Sequence, residues 1–188
     1  MNNTYKNPVL EGADPFVLLH DGVYYLYSTN APDGFRVFTS TDMGTWTDRG
    51  YCLRAEDVQG EWGFWAPEVM VRGGKFYMVY VANEHLGIAV ADSPLGPFRQ
   101  AEKRWLNELN EIDGHFFSDE DGTGHHSFTT SKDGRELVCV YHARPGRDTA
   151  CPRKTCIDRA EFVPDPDGGE DILRIFGPST DVQRAFAV

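Results

Sequence analysis

Residues 12–46 read GADPFVLLHDGVYYLYSTNAPDGFRVFTSTDMGTW, and residues 63–98 read GFWAPEVMVRGGKFYMVYVANEHLGIAVADSPLGPF. Both follow one plan: a Pro near the start, an apolar strand, a Gly-containing turn, an aromatic strand, a third apolar strand and a Ser-led turn. Gly22 matches Gly74 and Gly44 matches Gly96, each at a spacing of 52 residues. Asp-Gly and Gly-Gly between alternating apolar runs are strong hairpin signals, because both central residues of the tight turn need positive φ. A unit of four short strands recurring every 40–50 residues or so is the pattern of a β-propeller blade, whose sheet is buried only by its neighbours. The expected fold is therefore all-β, a propeller.

The period then breaks. A third copy opens at Ile112 with IDGHFFSDEDG, and Gly122 lies 48 residues after Gly74. The aromatic strand that should follow is missing; TGHHSFTTSKDGRELVCVYHA comes at once, with its own turn glycine, Gly134, only 12 residues after Gly122. The expectation is a single propeller domain over 1–188 with an incomplete ring of three to four blades. Blade 1 covers about 7–55, blade 2 about 62–105, a partial blade 3 about 110–123 and a final blade about 124–165, with a tail strand in 170–188. AEKRWLNELNEI offers at most a helical turn or two.

Composition bounds the function. The chain has 188 residues, 40% apolar and 13% aromatic, with Gly 19 and Pro 11, as suits one well-buried, turn-rich domain. A net charge of −11 argues against nucleic acid or an anionic membrane as partner, since phosphate binding needs clustered Lys and Arg. No apolar run is long enough for a membrane helix. MNNTYKNPVL has neither a basic nor an apolar leader region, which is compatible with the cytoplasm and with a trimmed secreted form alike and leaves the location unknown. Cys52, Cys139, Cys151 and Cys156 show no CxxC spacing and read as reduced and structural, with a Cys151–Cys156 clip as the alternative.

Acids recur where a blade's innermost strand should begin: Asp14 in GADPF, Glu68 in WAPEV and Asp113 in EIDGHFF. Innermost strands surround the propeller axis, so such acids converge although distant in sequence. Converging carboxylates suit glycoside hydrolysis, and Trp62, Phe64, Trp65 and Phe35 could offer faces to a sugar or simply pack the core.

Taken together, GADPFVLLHDGVYYLYST, GFRVFTSTDMGTWTDRGYCL, WAPEVMVRGGKFYMVYVA, IAVADSPLGPF, EIDGHFFSDEDG and GHHSFTTSKDGRELVCVYHA resemble successive segments of glycoside hydrolase family 43, from about Asn7 to Phe162. The resemblance implies a five-bladed propeller and an inverting glycosidase acting on arabinose- or xylose-containing glycans, an α-L-arabinofuranosidase or β-xylosidase. It implies Asp14 as general base and Asp113 as the Asp that orients the acid and raises its pKa. The general-acid Glu of the family falls where this chain joins directly at Gly122 to Gly124, so it has no counterpart; Glu68 and Glu84 are candidates by location only. Phe35, Trp65 and Arg144 are the expected substrate contacts. His125 matches a family His that faces the central channel near a calcium ion; no cofactor is required, and the alternative is a hydrogen-bonded structural His. A catalytically impaired pentose-binding remnant lacking the acid is the second functional reading. An open ring exposes apolar blade faces, so a homo-oligomer is also expected.

Overall fold

A computed structural model of the chain describes residues 4–106, 126–143, 154–164, 172–177 and 179–186. The strands in chain order are β1 (Thr4–Tyr5), β2 (Leu10–Glu11), β3 (Ala13–His20), β4 (Val23–Thr29), β5 (Gly34–Ser40), β6 (Thr47–Arg54), β7 (Trp65–Arg72), β8 (Lys75–Ala82), β9 (His85–Ala91), β10 (His126–Thr130), β11 (Leu137–Ala143), β12 (Lys154–Val163), β13 (Ile172–Ile175) and β14 (Gln183–Arg184). All pairings are antiparallel. The fold is all-β; among the described residues the helical content is one turn of 3-10 helix, Ala55–Asp57.

Three sheets carry the architecture: β3-β4-β5-β6, β7-β8-β9, and β10-β11-β12-β13 with β2 added beside β12. The hairpin turns form as their sequence demands. Asp21 and Gly22 take φ of 48° and 72°, and Gly73 and Gly74 take 59° and 75°, the left-handed pair of a type I′ turn. Strand β3 packs against β7 on one side and against β10 and β11 on the other, so the first sheet lies between the other two.

That placement explains the continuous apolar run in β4. Both faces of the first sheet are covered, so alternation does not separate an inside from an outside. Tyr27 points into a core with Val37, Phe64, Met78, Tyr80 and Phe98, between the first and second sheets. Tyr24 and Leu26 point the other way, toward Val138, Val140 and Ile157 of the third sheet. Tyrosine is tolerated because each buried hydroxyl has an acceptor: Tyr27 donates to the Pro94 carbonyl at 2.6 Å and Tyr24 to that of Thr130 at 3.1 Å.

Both chain ends dock on the third sheet. Asn7 accepts from the Ile157 amide at 2.9 Å and donates to the Ile157 carbonyl at 3.0 Å, completing a backbone-like pairing with its side chain. Tyr5 stacks on Phe186, with ring centroids 5.3 Å apart. Strand β13, four residues within the segment expected to supply a tail strand, pairs with β12 from Val163↔Ile172 to Ala160↔Ile175.

Candidate active site

The innermost strands β3 and β7 begin with the same local distortion. Register slips between Ala13 and Phe16 in β3, and between Trp65 and Glu68 in β7. In each bulge the residue before proline has positive φ: 51° at Asp14 and 44° at Ala66. A bulge re-aims the side chain it carries. In the first blade that side chain is a carboxylate, and Asp14 is buried, 6% exposed.

Asp14 is held by contacts that join all three sheets. The Thr29 hydroxyl donates to Asp14 Oδ2 at 2.7 Å, and the Ala66 amide of the second sheet donates to Thr29 Oγ1 at 3.1 Å. On the other side, the buried Ser127 hydroxyl of β10 donates to the Pro15 carbonyl at 3.2 Å. Asp14 thus stands where the starts of β3, β7 and β10 meet.

The register corrects one equivalence. Ala13↔Thr29 and Phe16↔Tyr27 in the first sheet correspond to Trp65↔Val81 and Glu68↔Val79 in the second. The counterpart of Asp14 is therefore Ala66, and Glu68 takes the place of Phe16, two residues further along. Glu84 is exposed in the two-residue turn between β8 and β9, with φ of 61°.

The aromatic expectations separate. Phe35 is fully buried, edge-to-face with Phe64 at 5.9 Å and Tyr80 at 6.5 Å, and Phe64 stacks on Tyr80. A ring enclosed by other rings cannot present a face to a sugar, so Phe35 is corrected to a core residue. Trp65 is half-buried at the start of β7, packed near Val79, Val81 and Leu86. Trp62, half exposed, meets it edge-on at 6.2 Å and is the aromatic surface offered to solvent here. Its loop is pinned by the Asn83 side chain, whose Oδ1 accepts from the Glu61 and Trp62 amides at 2.9 and 3.2 Å.

Asp113, His125 and Arg144 lie outside the described residues. Among the described residues no three His, Cys, Asp or Glu side chains gather as a metal ion would need. Cys52, Cys139 and Cys156 are buried free thiols, and Cys151 lies outside the described residues.

Thr29 and Ser127 were not singled out from sequence. Thr29 could have been: at the spacing of 52 its counterpart is Val81, so a hydroxyl stands in the first repeat where the second is apolar.

Comparison with known proteins gives a consistent picture. The family described as glycosyl hydrolases family 43 matches residues 5–124. The arabinoxylan arabinofuranohydrolase of Paenibacillus polymyxa is 32% identical over 127 residues, covering 50% of this chain and 20% of that protein. A β-xylosidase of Xylanibacter ruminicola is 30% identical over 147 residues, covering 65% of this chain and 46% of that protein. The chain thus spans less than half the length of either relative. The crystal structure of a thermostable family-43 glycoside hydrolase superposes with a TM-score of 0.74 at 25% identity, covering 98% of this chain and 99% of that one.

Proposed function

Since the chain belongs to glycosyl hydrolases family 43, we propose that it cleaves arabinose- or xylose-containing glycans with inversion, as an α-L-arabinofuranosidase or β-xylosidase. The observation that carries this reading is the Asp14 carboxylate, buried and oriented by Thr29 at the meeting point of the innermost strands. In a single displacement Asp14 takes a proton from water as the water attacks the anomeric carbon. The mechanism further needs a protonated acid on the opposite side of the sugar, about 6.5–9.5 Å from the base so that water fits between, to deliver a proton to the leaving oxygen; no residue of this chain is assigned to it. Asp113 is proposed to orient that acid. Trp62 and Trp65 supply an aromatic edge beside the site for stacking on a pentose ring.

The test is turnover of aryl α-L-arabinofuranosides and aryl β-D-xylosides, with the anomer of the first product read by NMR. Removing the base with Asp14→Asn should cost roughly 100- to 10,000-fold. Sugar binding without turnover by the parent chain would instead support the carbohydrate-binding remnant. Assembly into a dimer or larger oligomer belongs to the same proposal: Trp62, Leu106, Phe162 and Val182 are all at least half exposed. Light scattering that gives the mass of one chain at micromolar concentration would exclude that assembly.

A further inference from the structure

The first two blades contain a natural control for the site. Both innermost strands open with a bulge before proline, both bulges hold a non-glycine residue at positive φ, and the cross-strand partner stands at the same register. Blade 1 fills the two places with Asp14 and Thr29, blade 2 with Ala66 and Val81. Blade 2 forms its bulge with an apolar pair, so a carboxylate at the bulge and a hydroxyl on its partner strand are not required within a blade; the Thr29 hydroxyl acts between blades, accepting from the Ala66 amide.

The hydrogen bonds say what the hydroxyl does. A threonine hydroxyl has one proton to donate and lone pairs to accept with. The Ala66 amide donates to Thr29 Oγ1 at 3.1 Å, which uses the oxygen as acceptor and turns its proton toward Asp14 Oδ2, 2.7 Å away. Blade 2 therefore orients the Thr29 hydroxyl, and the hydroxyl orients the carboxylate. On the other flank, Ser127 fixes the carbonyl of Pro15, the residue next to Asp14.

We infer that Thr29 is a positioning residue for the Asp14 carboxylate, and that through the Ala66 amide it makes the geometry of that carboxylate depend on the docking of the second blade on the first. This rests on the reading of Asp14 as the general base. A base must meet its water within hydrogen-bond reach, so a side chain free to change rotamer spends part of its time out of line. The Thr29 hydroxyl bonds the base and a backbone amide, so its loss should fall on the chemical step more than on sugar binding.

Thr29→Val and Thr29→Ser test this. Valine is the residue blade 2 tolerates at this register and removes only the hydroxyl; serine restores it. Expected for Thr29→Val is a fall in kcat on an aryl pentoside of roughly 10- to 100-fold, the scale of a modest misplacement of a reacting group. KM should stay within about twofold, as for an interaction made chiefly in the transition state, and Thr29→Ser should return kcat to within about threefold of the parent. Amide exchange at Ala66 should speed in Thr29→Val and recover in Thr29→Ser. A Thr29→Val enzyme with parental kcat, while Asp14→Asn is inactive, would overturn the inference and leave the base intact; so would equal impairment by Val and Ser. If the chain shows no turnover, or Asp14→Asn retains it, the base reading fails. The positioning is then decided by the Asp14 χ1 rotamer from three-bond couplings and by Ala66 exchange. One rotamer lost in Val and kept in Ser supports it, and no change in either measurement overturns it.

Discussion

Replacing Phe35 by alanine decides between two roles for one ring, a sugar platform or a core element. The side chain has no exposed surface and meets Phe64 and Tyr80 edge-to-face at 5.9 and 6.5 Å. Removing a fully packed Phe costs about 3–5 kcal/mol, the transfer of the ring from water plus the cavity left behind. For a domain of this size each kcal/mol lowers the melting temperature by about 2–4 °C, so Phe35→Ala should melt roughly 6–20 °C lower. That loss is a large part of a typical stability of about 5–15 kcal/mol. Phe35→Leu keeps most of the volume and should cost less than about 1.5 kcal/mol. Urea denaturation should show a lower midpoint at unchanged slope for both variants, which separates a stability loss from a change in the unfolded state. A double substitution with Phe64 should reveal a coupling of about 0.5–1.5 kcal/mol from the ring pair. A Phe35→Ala protein that melts within about 2 °C of the parent but binds sugar more weakly would refute the core assignment.

Other expectations are simpler. Glu136 accepts from Arg159 Nε at 2.7 Å and from Arg184 Nη2 at 2.6 Å, tying the C-terminal segment to the third sheet. Glu136→Gln should cost about 1.5–3 kcal/mol in chemical denaturation, the worth of charge-assisted bonds, and an unchanged midpoint would show that the pairs contribute nothing. At high pH, burial, then the nearby Asp158 charge, pushes the Cys156 thiol from 9.0 up to about 11 and the Cys139 thiol up to about 12. Burial first also pushes Tyr5 and Tyr24 from 10.0 up to about 12. The folded state holds these protons more tightly than the unfolded one, so stability is full below about pH 9 and falls as pH rises toward about 12. Melting temperatures that stay flat across that window would contradict it. Cys52, Cys139 and Cys156 are buried, so iodoacetamide at pH 8 should label them only as fast as the protein opens; rapid native-state labelling of any of the three, mapped by mass, would place it at the surface.

Much of this protein follows from its sequence alone, because local rules act within a few residues. The turns at Asp21–Gly22 and Gly73–Gly74 follow from a demand for positive φ. The recurrence at a spacing of 52 marks repeated sheets, and the carboxylate before Pro15 falls at the mouth of an innermost strand. Only the tertiary structure decided the rest. Alternation states which residues share a face of a sheet, not whether a neighbouring sheet covers that face; so Phe35 went to the core while Trp62 stayed half exposed. Hydropathy does not record that each innermost strand opens with a bulge before its proline, although the spacing of 52 by itself sets Ala66, not Glu68, opposite Asp14. The contacts that orient Asp14 and its neighbour Pro15 come from sheets far apart along the chain: the Ala66 amide reaches Thr29 across 37 positions and Ser127 reaches Pro15 across 112. Such pairings depend on how whole sheets dock, and no local pattern of residue types encodes them.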